Sequence, residues 1–273
     1  MSIPRNIFMT MSDKNKLHPI FSKNIDALKK KNKGWKFKFF DDNERREFIE
    51  KNYDHEFVEL YDSIDPNYGA ARADYFRYLL IYKMGGIYLD VKSSCNQKFD
   101  DVINQDDEFI LSRWSNKPKS RYFGWGRYAS LGWKSEFQQW HVIAKPGHPF
   151  LKAVIDRVTL NLKKYDPLRD GVGKFGVLNL TGPIAYTKAI SPIKNKYHHR
   201  LVDIEDLGFD YSIIRSLGIK KKHSKFMTSN YRKLIRPIIK MSLAKTLKFY
   251  FVKYSFKFKQ KIRSRINIYN KFI

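Results

Sequence analysis

Nothing acidic follows Asp210: from Tyr211 to the last residue the chain carries eighteen Lys and Arg and not one Asp or Glu. Cysteine is nearly as scarce. Cys95 stands alone, which excludes an intramolecular disulfide, fits a reducing compartment and reads as a buried structural thiol. No apolar run reaches the roughly eighteen residues of a membrane-spanning helix, and the opening MSIPRNIFMTMSDKNK lacks the apolar centre of a signal peptide. A cytoplasmic protein is therefore expected. Internal repeats and low-complexity linkers are also missing.

What is present suffices for a substantial core. The 273 residues are 42% hydrophobic and 16% aromatic, enough for one large α/β domain or for a domain with an appendage. The net charge of +26 resides mainly in the acid-free C-terminal stretch. Such a basic segment suits nucleic acid, anionic lipid or an acidic polymer, and composition does not choose among them.

Hydrophobic periodicity organises the first half as alternating strands and helices. Strands are expected over 5–9 and 35–40, helices over 19–31 and 43–52, with Asp41-Asp42 at the N-cap of the second helix. This β-α-β-α order favours a parallel sheet. A short helix over 55–61 and a turn at Asp65-Pro66-Asn67 follow. Later strands are expected over 108–114 and 138–144 and a helix over 148–162, while Thr181 is expected to cap a helix that has Pro183 in its first turn. The carboxylates Asp100, Asp101, Asp106 and Asp107 lie in turns and are expected to face solvent.

Residues 72–92, RADYFRYLLIYKMGGIYLDVK, concentrate the chemistry. Residues 70–84 read as a helix apolar nearly all round, hence buried, yet it carries Arg72, Asp74 and Arg77. Gly85 and Gly86 end it, and a strand over 87–91 follows. Period two puts Ile87, Leu89 and Val91 on one face and Tyr88, Asp90 and Lys92 on the other. An acidic side chain at such a strand end lies where open α/β sheets bind ligands.

GAARADYFRYLLIYKMGGIYLDVKSS resembles the core of the DXD-containing sugar transferases of glycosyltransferase family 32, which includes capsular polysaccharide and α-1,6-mannosyltransferases. The specific part is A-D-x-x-R-Y followed by G-G-x-Y-x-D; IPRNIF, the 35–64 stretch, GHPFLKAVIDRV and NLTGPIAYTKAI extend the likeness over most of residues 3–190. The resemblance implies a GT-A type, Rossmann-like fold: a mixed, mostly parallel sheet flanked by helices. It also implies transfer of a sugar, with retention of anomeric configuration, from a nucleotide-diphosphate sugar to a glycan or lipid-linked acceptor. Asp74, Arg77, Tyr88, Phe8 and Gly86 would then belong to the donor site. Asp90 would meet Mn²⁺ or Mg²⁺, and His223 would supply a later ligand.

Lys92 departs from that pattern by replacing the second Asp of DXD. Three roles are open to it. A metal binds through Asp90, the diphosphate and a later ligand while Lys92 turns to the β-phosphate; Lys92 replaces the metal as a fixed charge; or the protein is a non-catalytic relative that binds glycan or nucleic acid. Trp114, Trp125 and Trp133 are candidates for stacking an acceptor sugar, with Trp140 a core residue and Gly124 to Arg127 an acceptor loop.

Two domains are expected: a catalytic unit over 1–230 and a basic amphipathic tail over 231–273. In the tail Leu247, Phe251, Tyr254 and Phe258 form one stripe flanked by Lys and Arg, suited to an anionic membrane surface. A peripheral membrane protein with no specific nucleic-acid partner is the resulting expectation.

Overall fold

The computed structural model describes residues 2–218 and 231–255. Its strands are β1 (Asn6–Thr10), β2 (Lys36–Phe40), β3 (Gly86–Leu89), β4 (Ser94–Cys95), β5 (Phe109–Ser112), β6 (His141–Ala144), β7 (Arg200–Val202) and β8 (Phe209–Asp210). Six of them form a sheet in the order β2-β1-β3-β6-β5-β7, and β4 pairs with β8 separately. Within the large sheet β6 runs antiparallel to both neighbours, and the other pairings are parallel.

The helices are α1 (Pro19–Lys31), α2 (Asp42–Asn52), α3 (His55–Ser63), α4 (Gly69–Met84), α5 (Phe99–Val102), α6 (Pro149–Lys163), α7 (Gly173–Leu180), α8 (Pro183–Ile190), α9 (Ile213–Ser216) and α10 (residues 243–255). Local sequence accounts for several of their boundaries. Pro19 opens α1, which buries Phe21, Ile25 and Leu28 at helical spacing. At α2, the Asp41 side chain accepts from Glu44 N at 3.0 Å while Glu44 Oε2 accepts from Asp41 N at 2.9 Å, a reciprocal cap worth about 1 kcal/mol.

The central strands β1, β3, β5 and β6 are buried on both faces, and period two sorts their side chains. Phe8, Tyr88 and Val142 join the core formed with α4, α6 and α8, whereas Ile7, Ile87, Leu89 and Ile143 join the one formed with α1 and the β4–β8 ribbon. Helix α4 is buried on nearly every side, as its apolar circumference requires. It enters β3 directly through Gly85 at φ 61° and Gly86 at φ 107°. A Cβ at Gly86 would lie 2.6 Å from the Asn6 carbonyl oxygen, so the turn needs glycine for space as well as for torsion.

Several expectations require correction. Thr181 does not cap the start of α8: Gly182 occupies that N-cap, and Thr181 is the C-cap of α7. Asp107 is buried and paired with the Arg200 guanidinium, with Nε donating to Oδ1 at 2.9 Å, and does not face solvent. The strand expected over 138–144 begins only at His141, because Phe137 N and Gln138 N donate to the Thr187 hydroxyl and the Ser112 carbonyl, respectively. The domain boundary expected at 231 falls inside packed structure. Asp65 N donates to Ile238 O and Lys240 N to Ser63 O, both at 2.8 Å, and Ile238 is completely buried.

Helix α10 lies beyond this strap. Phe249 is buried, while Leu247, Phe251 and Tyr254 are 60%, 75% and 52% exposed. Phe258, expected to complete their stripe, lies outside the described residues.

Candidate functional site

Asp74 and Arg77 face the same way from α4 because three residues make nearly one helical turn. Asp90 and Lys92 leave the carboxyl end of β3, where a turn closed by Ser93 N donating to Asp90 O at 2.8 Å redirects the chain. The two pairs converge. Arg77 Nη2 lies 3.2 Å from Asp74 Oδ1 and 3.1 Å from Asp90 Oδ1, and Lys92 Nζ donates to Asp90 Oδ2. The Tyr88 hydroxyl also donates to Asp90 Oδ1, at 3.3 Å.

Remote segments complete the cluster. Thr181 Oγ1 donates to Asp74 Oδ2 at 3.0 Å, and Gln139 Nε2 donates to Asp74 Oδ1 at 3.2 Å. Arg77 Nη1 donates to the Gln139 carbonyl at 2.6 Å. Tyr211 covers Lys92, with Nζ 4.4 Å from the ring centroid. Sequence reading missed Thr181, Gln139 and Tyr211, since none belongs to a local motif; the Thr-Gly-Pro run signalled the start of α8 but not the hydroxyl's destination.

The two carboxylates sit in different fields. Burial pushes Asp74 up to about 6 against the pull of Arg77. Asp90 is subject to the same burial penalty, but Lys92 and Arg77 reverse it and hold the carboxyl below its ordinary value. Asp90 is also the more open of the pair, with 21% of its side chain exposed against 4% for Asp74. Nearby His141 is held neutral, its pKa lowered by burial to about 3, and shares a 3.0 Å hydrogen bond with Ser112.

Tyr211 connects this polar cluster to an aromatic wall. Its ring lies 5.1 Å from Trp114, 5.9 Å from Trp125 and 5.6 Å from Trp140. Trp114 donates through Nε1 to Glu136 Oε1 at 2.6 Å, and burial pushes the Glu136 carboxyl up to about 7. Trp133, by contrast, is 68% exposed.

The remaining site expectations fare differently. Phe8 is a core residue, 4% exposed and packed with Phe40, so its ring is not presented to a ligand. Gly86 serves the α4–β3 turn. His223 lies outside the described residues. A hard divalent ion requires free carboxylate oxygens, yet both oxygens of Asp90 face cationic side chains. Among the described residues no group of three His, Cys, Asp or Glu is placed to hold a metal. The arrangement around Asp90 does not fit Mn²⁺ or Mg²⁺.

Comparison with known proteins bears on the same segment. The family described as "Glycosyltransferase sugar-binding region containing DXD motif" matches residues 20–110, which include Asp74, Arg77, Asp90 and Lys92. The initiation-specific alpha-1,6-mannosyltransferase of Candida albicans is 28% identical over 140 residues, 45% of this chain and 35% of that protein. The uncharacterized glycosyltransferase L373 of Acanthamoeba polyphaga mimivirus is 36% identical over 85 residues, 31% of this chain and 33% of that protein. The match thus spans about a third of the length of these relatives. Among solved structures, the PaToxG glycosyltransferase aligns with a TM-score of 0.49 and 17% identity, covering 91% of this chain and 84% of that one.

Proposed function

We propose that this chain, whose residues 20–110 match a family of DXD-containing sugar-binding regions, is a glycosyltransferase. It moves a sugar from a nucleotide-diphosphate donor to a hydroxyl of a glycan or lipid-linked glycan, with retention of configuration. The carrying observation is the convergence of Asp74, Arg77, Asp90 and Lys92 at the carboxyl end of β3 within that region.

The chemistry follows from where charge develops. As the bond between the anomeric carbon and the phosphate oxygen breaks, negative charge grows on the departing nucleoside diphosphate. Fixed cations stabilise that charge without having to reorganise. Arg77 and Lys92 are such cations, held by Asp74, Asp90, the Gln139 carbonyl and the Tyr211 ring. Asp74 keeps Arg77 oriented and is itself oriented by Thr181 and Gln139. Retention requires no separate general base at a fixed position, and no residue is assigned that role. Trp125 and Tyr211, half-buried and backed by the buried Trp114, offer apolar faces on which an acceptor sugar can stack.

The acceptor reading connects with α10. Leu243, Leu247, Phe251 and Tyr254 present an exposed apolar stripe on a helix that also carries Lys245 and Lys248. Apolar insertion plus about 1 kcal/mol for each basic residue near an anionic surface would hold the protein at the cytosolic face of a membrane. There it would reach lipid-linked acceptors of polysaccharide biosynthesis.

Turnover of UDP-glucose, UDP-galactose, UDP-N-acetylglucosamine and GDP-mannose, followed as nucleotide release with and without Mn²⁺, tests the enzyme reading. Release from at least one donor is expected. The substitution of lysine for the second Asp favours a second reading, a non-catalytic relative that binds glycan. Glycan binding without turnover of any of these donors would select that alternative.

A further inference from the structure

We infer that this site binds the diphosphate of its donor without a divalent cation, the Lys92 ammonium occupying the place and charge role of the metal. The inference rests on the donor-site reading of the Asp90 cluster and goes beyond it. Asp90 offers two oxygens, one facing Arg77 Nη2 at 3.1 Å and the other accepting from Lys92 Nζ. A dication at Asp90 would have to displace one of these cations or lie against both.

Displacing Lys92 is opposed by how its segment is anchored. Ile213 N donates to Lys92 O at 3.0 Å, and Ser93 Oγ donates to Tyr211 O at 2.9 Å. Asn24 Nδ2 donates to Ser93 O, also at 2.9 Å, and the next residue pairs in register with Asp210. The Lys92 side chain is only 9% exposed, with its ammonium over the Tyr211 ring. To admit an ion this ammonium would have to give up both the Asp90 carboxylate and the Tyr211 ring, and a dication placed beside it would be repelled strongly.

The same geometry equips Lys92 to do what the ion would do. An ammonium has three N–H donors; one is used on Asp90, which leaves capacity for phosphate oxygens. Arg77 lies on the other side of the same carboxylate. Two cationic groups flanking Asp90 thus place N–H donors beside one another for a diphosphate, with the aspartate retained as their spacer.

Isothermal titration of the full chain with UDP, GDP and CDP, each in EDTA and in Mn²⁺, tests this. At least one nucleotide is expected to bind with Kd values that agree within about twofold between the two conditions. Lys92→Asp is expected to weaken binding in EDTA by about tenfold or more, with Mn²⁺ restoring it. Paramagnetic resonance of Mn²⁺ supplies a readout independent of that variant's folding: the wild-type protein with nucleotide should leave the Mn²⁺ signal as nucleotide alone does. Wild-type binding that requires Mn²⁺ overturns this inference while leaving the donor site standing. Failure of every nucleotide under both conditions overturns both.

Discussion

The Arg77 guanidinium lies over the Tyr88 ring, 4.4 Å from its centroid, while one of its nitrogens bridges Asp74 and Asp90. One planar group thereby locks α4 to the end of β3. Arg77→Lys keeps the charge but cannot reach both carboxylates and the Gln139 carbonyl from a single ammonium. Loss of a buried, paired arginine predicts destabilisation of about 3 kcal/mol in urea unfolding. A change below about 0.5 kcal/mol, the usual range for surface substitutions, would show that the bridge contributes little.

Asp74 calls for a gentler substitution than its neighbour. Removing its carboxylate with alanine would leave Thr181 and Arg77 short of partners in a buried setting, at a cost of about 3–5 kcal/mol. Asp74→Asn and Asp90→Asn keep the shape. Both are expected to abolish nucleotide-sugar turnover, with each variant still unfolding cooperatively. Undiminished turnover in the pair would remove them from the site.

The buried Glu136 gives stability a defined pH dependence. Its folded pKa of about 7 exceeds its ordinary 4.5, so the folded state binds the proton more tightly. Its contribution is complete below about 4.5 and is lost as pH rises through 7, on the order of 3 kcal/mol in all. Glu136→Gln preserves an acceptor for Trp114 and should flatten this part of the curve. Melting temperatures of the two proteins across pH 5 to 8 make the comparison, and parallel curves would contradict the assignment.

Surface variants on α10 isolate membrane attachment from folding. Leu247→Glu with Phe251→Glu changes two exposed side chains, so stability should move by less than about 1 kcal/mol. Cosedimentation with phosphatidylserine vesicles should fall sharply. Truncation at 231 would not serve, because it removes Ile238 from the core. Undiminished sedimentation of the double variant would place attachment elsewhere.

The first half of the fold was readable because its signals are local. Asp41 with Glu44, Pro19 at the start of α1 and the Gly85-Gly86 stop each act within a few residues. The resemblance carried Asp74, Arg77, Tyr88 and Asp90 to one place, where the structure also gathers them. What escaped was long-range. Thr181 reaches Asp74 across 107 positions, and no periodicity reports such a contact. Phe8 misled because an aromatic that fills the core and one that meets a donor look alike in sequence. Residues 231–240 looked like more of the basic tail, although Pro237-Ile238-Ile239 interrupts its pattern with an apolar run.

The strap near residue 238 also sets an order of events during synthesis. The Tyr68 hydroxyl donates to Arg236 O, a partner 168 positions later in the chain. At about 5–20 residues per second, that partner reaches the tunnel roughly ten to thirty seconds after Tyr68. Throughout that interval Ile64 and Tyr68 lack their final cover, and the nascent domain presents an unfinished apolar edge to whatever chaperones attend it.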